Sequence, residues 1–199
     1  MKIEAVDFFY LSMPDVTTAA DGSQDALLVR VAAGGHIGWG ECEAAPLPSI
    51  AAFVCPMSHG ACRPVAASVL GATLDGPESI TRIGARVERD SMDLLQAAHT
   101  FSGIEMALWD LLGQHRQLPV WKMLGFEKAT SKIPYASLLF GDTADETLAR
   151  ARKALADGFS AVKFGWGPIG TLDAAFDADH FVAAREGIGN DGHLMVDVG

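Results

Sequence analysis

The chain has 199 residues, 49% of them hydrophobic, with a mean hydropathy of +0.20. That apolar content supports a sizeable core and argues against disorder, and the length fits one domain or two small ones. Fifteen Lys and Arg against 25 Asp and Glu leave a net charge of −10, and an acidic balance without a basic run argues against nucleic acid and membrane surfaces as partners.

The opening "MKIEAVDFFY" alternates charged and apolar residues and reads as a strand. It lacks the apolar core of a signal peptide, and no apolar run approaches the roughly 20 residues of a membrane span. Cys42, Cys55 and Cys62 are odd in number and show no C-x-x-C spacing. They read as three reduced thiols in a cytoplasmic protein rather than a zinc or redox site. The six histidines are scattered, none with a helical partner four residues on, so none points to a metal site.

Residues 2–12 and 25–33 are predicted as strands, with a polar loop at 14–24 between them. Gly34 and Gly35 supply a turn, and "HIGWGECEA" at 36–44 returns as the third strand of an antiparallel sheet. Residues 46–63, with three prolines and two cysteines, read as irregular. "ESITRIGARVERD" at 78–90 is an amphipathic helix with Ile80, Ile83 and Val87 on one face. "FSGIEMALWDLLGQHR" at 101–116 is a stronger one. Its Phe101, Ile104, Leu108, Leu111 and Leu112 recur at three- and four-residue steps, and Met106 and Trp109 are assigned to the core. "LPVWKMLG" adds a short helical turn closed by Gly125.

From about Ile133 the pattern becomes β-α-β-α-β. The strands are "KIPYASLLF" at 132–140, "SAVKFGW" at 160–166 and "HLMVDVG" at 193–199, and the helices cover 144–158 and 172–189. Continuous apolar runs in the strands indicate a parallel sheet covered on both faces. Functional groups in such sheets gather at the carboxyl ends of the strands. Lys163 lies near the end of the second strand and Asp197 at the end of the third. Neighbouring strands are about 4.8 Å apart, so the two can face one pocket. Alternation puts Lys163 and Gly165 on one side, with Phe164 and Trp166 on the other under the helices. By pattern alone, a lysine that reaches out to water and an aspartate that opens a loop stand as the plain alternative.

The order "GWGE" at 38–41, "ALWDLLG" at 107–113, "LPVWKMLG" at 118–125, "VKFG" at 162–165 and "MVDVG" at 195–199 resembles the enolase superfamily, in its mandelate racemase and muconate lactonizing branch. The resemblance spans the whole chain. It implies an α+β capping domain over 1–130, then an incomplete (β/α) TIM-type barrel over 131–199 that ends after its third strand. It also implies removal of the proton α to the carboxylate of a small-molecule substrate, with the enediolate held by Mg²⁺ and a lysine or histidine as base. That proton is very weakly acidic, so a cation must neutralise the developing charge and a base must be poised beside the carbon.

By the resemblance, Lys163 matches the first lysine of a K-x-K motif and Asp197 the first of three carboxylate metal ligands. Residues 14–24 and 47–59 match loops that close over substrate. Gly165 stands where the second lysine belongs, and glycine transfers no proton. This argues against a racemase, epimerase or cycloisomerase. It favours a hydroxy-acid or acid-sugar dehydratase-like lyase, in which Lys163 orients or stabilises the carboxylate or serves as base itself. The family's full-length members imply a homo-oligomer. The barrel portion falls far short of the roughly 250 residues of a complete barrel, and one carboxylate is a poor Mg²⁺ site. The expectation is therefore a fragment or truncated enzyme, inactive alone. The alternatives are a racemase, epimerase or cycloisomerase of the same branch with displaced bases, and a non-catalytic remnant that acts only by association.

Overall fold

Branched and aromatic residues are concentrated in three stretches of the first 42 positions, and these form three antiparallel strands. In the computed structural model these are β1 (Ile3–Leu11), β2 (Ala26–Ala33) and β3 (His36–Cys42), in the order β1-β2-β3. The model describes residues 1–17, 24–42 and 45–198. Most of the expected 14–24 loop, the end of "HIGWGECEA" and Gly199 lie outside the described residues. The chain divides into two compact units: Met1–Val16 with the described part of Ser23–Ala129, and Thr17 with the described part of Thr130–Gly199.

In the first unit the central strand β2 buries Leu27, Val29, Val31 and Ala33 on one face. Five helices follow: α1 (Pro46–Val54), α2 (Val65–Val69), α3 (Pro77–Asp90), α4 (Ala97–Arg116) and α5 (Val120–Met123). The first corrects the expectation of irregular structure over 46–63. Pro46 and Pro48 both fall in the opening turn of α1, where backbone N–H groups have no helical acceptor and proline costs little. Residues 55–63 do lack helix, with a turn closed by hydrogen bonds between Ser58 and Cys62 and between Cys62 and His59.

α4 lies directly on the sheet. Ile104, Ala107, Leu108, Leu111 and Leu112 are fully buried there, joined by Ile80, Ile83 and Val87 of α3. Glycine permits this approach. A Cβ at Gly38 would sit 2.0 Å from the Ala107 carbonyl oxygen, and one at Gly40 would sit 2.1 Å from that of Gly103. Between them the Trp39 N–H donates to Asp110 Oδ2 at 2.9 Å. Thus "GWGE" and "ALWDLLG" are two halves of one contact. Trp109 packs half-buried against this core, whereas Met106 is 47% exposed. The apolar face of α4 is full without it, which corrects its assignment to the core.

The second unit alternates β4 (Ala136–Leu139), α6 (Ala144–Ala156), β5 (Ala161–Gly165), α7 (Ala174–Ile188) and β6 (His193–Asp197), with the strands parallel in the order β4-β5-β6. The Thr143 side chain caps α6 by accepting from the Glu146 N–H, and Asp173 caps α7 by accepting from Ala175 and Phe176. Val162 and Phe164 of β5 pack with Phe140, Ala151, Ala154, Ala184 and Ile188 under the helices. The first strand is shorter than 132–140, because Pro134 has no N–H for a ladder. Trp166 is a further correction. It lies beyond the end of β5 with φ +56° and is 55% exposed, not buried with Phe164. No helix among the described residues is long and apolar enough to cross a membrane.

Candidate active site at the carboxyl ends of β5 and β6

Parallel register decides which side chains share a face. Lys163 is paired with Ser137 on one side and Met195 on the other, and Gly165 with Leu139 and Asp197. Neighbours in register point the same way. Hence Ser137, Leu139, Lys163, Gly165, Met195 and Asp197 line the face opposite the helix-covered core. Asp197 is one pleat nearer the carboxyl end than Lys163, a step that a lysine side chain spans. Lys163 Nζ donates to Asp197 Oδ2 at 3.0 Å, with the two side chains 28% and 37% exposed. The two residues singled out from sequence are therefore brought together in one ion pair.

The pair has a fixed electrostatic sense. The hydrogen bond that Lys163 donates to Asp197 raises the Lys163 pKa above its usual value. Partial burial opposes this, and the negative charge of Asp197 adds to it. Lys163 is thus held as an ammonium. Its Nζ also lies 5.8 Å from the centre of the Tyr135 ring, within range of a cation–π contact. Sequence reading passed over Tyr135. The signal was present in the strand alternation, since 135, 137 and 139 share a face.

Gly165 belongs to the same arrangement. A Cβ there would fall 2.9 Å from Asp197 Cβ and 3.7 Å from its Cγ. β6 approaches β5 more closely at this point than any side chain at 165 would allow. The absent second lysine and the close Lys163–Asp197 pair are therefore linked: a larger residue at 165 has to displace Asp197.

Magnesium requires several oxygen ligands in a near-octahedral array. Asp197 offers a carboxylate of the right kind, but that group is engaged by Lys163. No cluster of three or more His, Cys, Asp or Glu suited to a metal occurs among the described residues. These residues do not fit a Mg²⁺ site by themselves. An open pocket of about 580 Å³, lined by Ile133, Tyr135, Ala161, His193 and Met195 among others, lies toward the amino ends of the strands, away from Asp197.

Comparison with known proteins adds the context. Residues 12–125 match the family model for the mandelate racemase / muconate lactonizing enzyme N-terminal domain. The chain is 31% identical over 170 residues to a D-galactonate dehydratase of Klebsiella pneumoniae, covering 79% of this chain and 40% of that protein. It is 27% identical over 169 residues to a D-galactarolactone cycloisomerase of Agrobacterium fabrum, covering 82% of this chain and 41% of that one. A crystal structure from Rhodobacter sphaeroides, described as a predicted mandelate racemase, superposes with a TM-score of 0.93 at 73% identity, covering all of this chain and 51% of that one. The muconate lactonizing enzyme of Pseudomonas putida shares the fold, with a TM-score of 0.77 at 24% identity over all of this chain and 52% of that one. The chain thus spans about half the length of these solved structures and about two fifths of these curated relatives. With more than half of its residues matched by the family model, and with a capping domain followed by parallel barrel-like strands, the chain belongs to the mandelate racemase / muconate lactonizing enzyme family of the enolase superfamily.

Proposed function

We propose that this chain supplies the capping domain and first three barrel strands of an acid-sugar dehydratase-like lyase, which removes the proton α to a carboxylate. The observation that carries the reading is the Lys163–Asp197 ion pair on the open face of the parallel sheet, with Gly165 beside it. A D-galactonate dehydratase and a D-galactarolactone cycloisomerase are among the similar proteins, which supports a polyhydroxylated acid as the substrate class.

In this reading Lys163 is an orienting cation and not the base. A group held protonated by Asp197 donates hydrogen bonds to a substrate carboxylate and draws off charge as the α-carbon loses its proton. Asp197 keeps the ammonium aimed. Gly165 offers no proton acceptor, so a base on this face must come from another element. The overall reaction balances as loss of water: the C2 proton leaves to the base, the C3–oxygen bond breaks, and the enol becomes a 2-oxo-3-deoxy acid. Magnesium, as the family leads one to expect, would need oxygen ligands in addition to Asp197.

The test is proton NMR of D-galactonate in D₂O with Mg²⁺ and the protein joined by the further barrel strands that supply the base and the remaining metal ligands. The expected result is loss of the C2 proton signal and appearance of a 2-oxo-3-deoxy product, both abolished in Lys163→Ala. Deuterium exchange with epimer formation and no loss of water would replace dehydration by racemisation. Undiminished exchange in Lys163→Ala would remove Lys163 from the mechanism. No exchange with any acid in a panel of hydroxy acids would overturn the reading.

A further inference from the structure

Trp166 is explained neither by the fold nor by the reaction proposed above. It follows Gly165 at the carboxyl end of β5, with φ +56°. That left-handed conformation is open to glycine and is an outlier for a bulky side chain. The surrounding backbone holds it there. On one flank, Gly165 is pressed against Asp197, with a Cβ position 2.9 Å from Asp197 Cβ. On the other, Gly167 is pressed against β4's end, with a Cβ position 3.1 Å from the Phe140 carbonyl oxygen. The Phe140 N–H in turn donates to the Gly165 carbonyl at 3.3 Å. Strain of this kind persists where the neighbours over-determine it, and it concentrates at ligand sites.

The fold leaves most of the indole uncovered. It is 55% exposed. Among the described residues it makes no hydrogen bond, aromatic contact or cation contact. Yet it leaves the chain one residue beyond the point where β5 meets the carboxylate of the ion pair.

We infer that Trp166 is a substrate-binding residue, an indole plate that stacks on the C–H face of a polyhydroxylated acid whose carboxylate is held by Lys163. This rests on the function proposed above. The chemistry matches in two ways. The faces of an aromatic ring carry partial negative charge, and the aliphatic hydrogens of a polyol chain carry partial positive charge. The free indole N–H can donate to one substrate hydroxyl. The carboxylate would fix one end of the ligand and the indole would select for a hydroxylated chain over a short acid.

The experiment uses the full chain with two probes, D-galactonate and lactate, measured by calorimetric titration and by tryptophan emission. The variants are Trp166→Gly, which relieves the left-handed strain, Trp166→Phe and Lys163→Ala. Far-UV circular dichroism checks that each is folded. Trp166→Gly is expected to weaken D-galactonate about tenfold while leaving lactate within about twofold. Trp166→Phe is expected to retain most of the affinity and lose the emission change. Lys163→Ala should weaken both probes. If Lys163→Ala weakens D-galactonate and Trp166→Gly does not, the proposed function stands and the role of Trp166 falls. Equal losses for both probes in Trp166→Gly mean a structural role and overturn the inference. If the unmodified chain takes up neither probe, the functional reading fails and this inference fails with it.

Discussion

Gly38→Ala puts a single methyl group where the structure has no room. Its carbon would lie 2.0 Å from the Ala107 carbonyl oxygen and 2.7 Å from the Leu111 backbone nitrogen. An ordinary carbon–oxygen contact is about 3.3 Å, so α4 must retreat from β3 by about 1.3 Å. The obstruction is helix backbone, which cannot rotate aside as a side chain end does. A gap of 0.5–1 Å already forfeits a quarter to a half of the dispersion energy across an interface. Here the interface holds the fully buried Ile104, Ala107, Leu108 and Leu111. Overpacking costs about 1–3 kcal/mol, and a backbone clash belongs at the top of that range. About 3 kcal/mol corresponds to a fall in Tm of roughly 10–15 °C for a unit of this size. The assay is thermal melting followed by far-UV circular dichroism, with near-UV signal from Trp109 reporting α4. Gly60→Ala is the control, since nothing lies within 4 Å of an added Cβ there. A Tm for Gly38→Ala within about 3 °C of the unmodified protein would refute the claim that these glycines set the helix–sheet distance.

Two further predictions concern buried and charged hydrogen bonds. Thr147 Oγ1 accepts from the Gly141 N–H at 2.9 Å and lies 2.9 Å from His180 Nδ1, in a buried site where His180 Nε2 has no partner among the described residues. Thr147→Val keeps the shape but strands two polar groups, at a cost of about 2–4 kcal/mol, whereas Thr147→Ser should retain most of the stability; urea unfolding measures both. A loss below about 0.5 kcal/mol in the valine variant would mean that the hydroxyl is not the tie between the β4–α6 loop and α7. Asp75 is held below its ordinary pKa, first by the Ser79 hydroxyl and also by Arg82. A depressed carboxylate stabilises the fold above its unfolded value and ceases to do so as pH falls through the folded one. Tm should therefore drop as pH falls below about 4, and Asp75→Asn should flatten that part of the profile. An unchanged profile in Asp75→Asn would show that the group does not couple to folding.

Much of the fold was legible because its causes are local. The step of three and four in Phe101, Ile104, Leu108 and Leu111 records one buried helix face, and all four are buried. The apolar runs around Val162 and Leu194 record a parallel sheet, but read as covered on both faces, whereas among the described residues the helices cover one face and Lys163 and Asp197 stand on the other. Lys163 and Asp197 were legible as a pair because parallel strands place their carboxyl ends side by side. The sequence also contained α1, but its prolines read as breakers. Whether proline ends a helix or opens one depends on its position in the first turn, which composition does not state.

By itself, then, the sequence determined not α1 or α2 but the order of the strands and the longer helices, the family, and the two charged groups at the strand ends. These follow from side-chain periodicity and from residue types that chemistry requires. Only the tertiary structure decided the distances. It showed that Gly38 and Gly40 exist to admit α4, that Gly165 lets Asp197 close on Lys163, and that Trp166 stands in solvent rather than under the helices. Each depends on how near two separate stretches of backbone come, and that spacing is set by packing across the fold, not by any pattern along the chain.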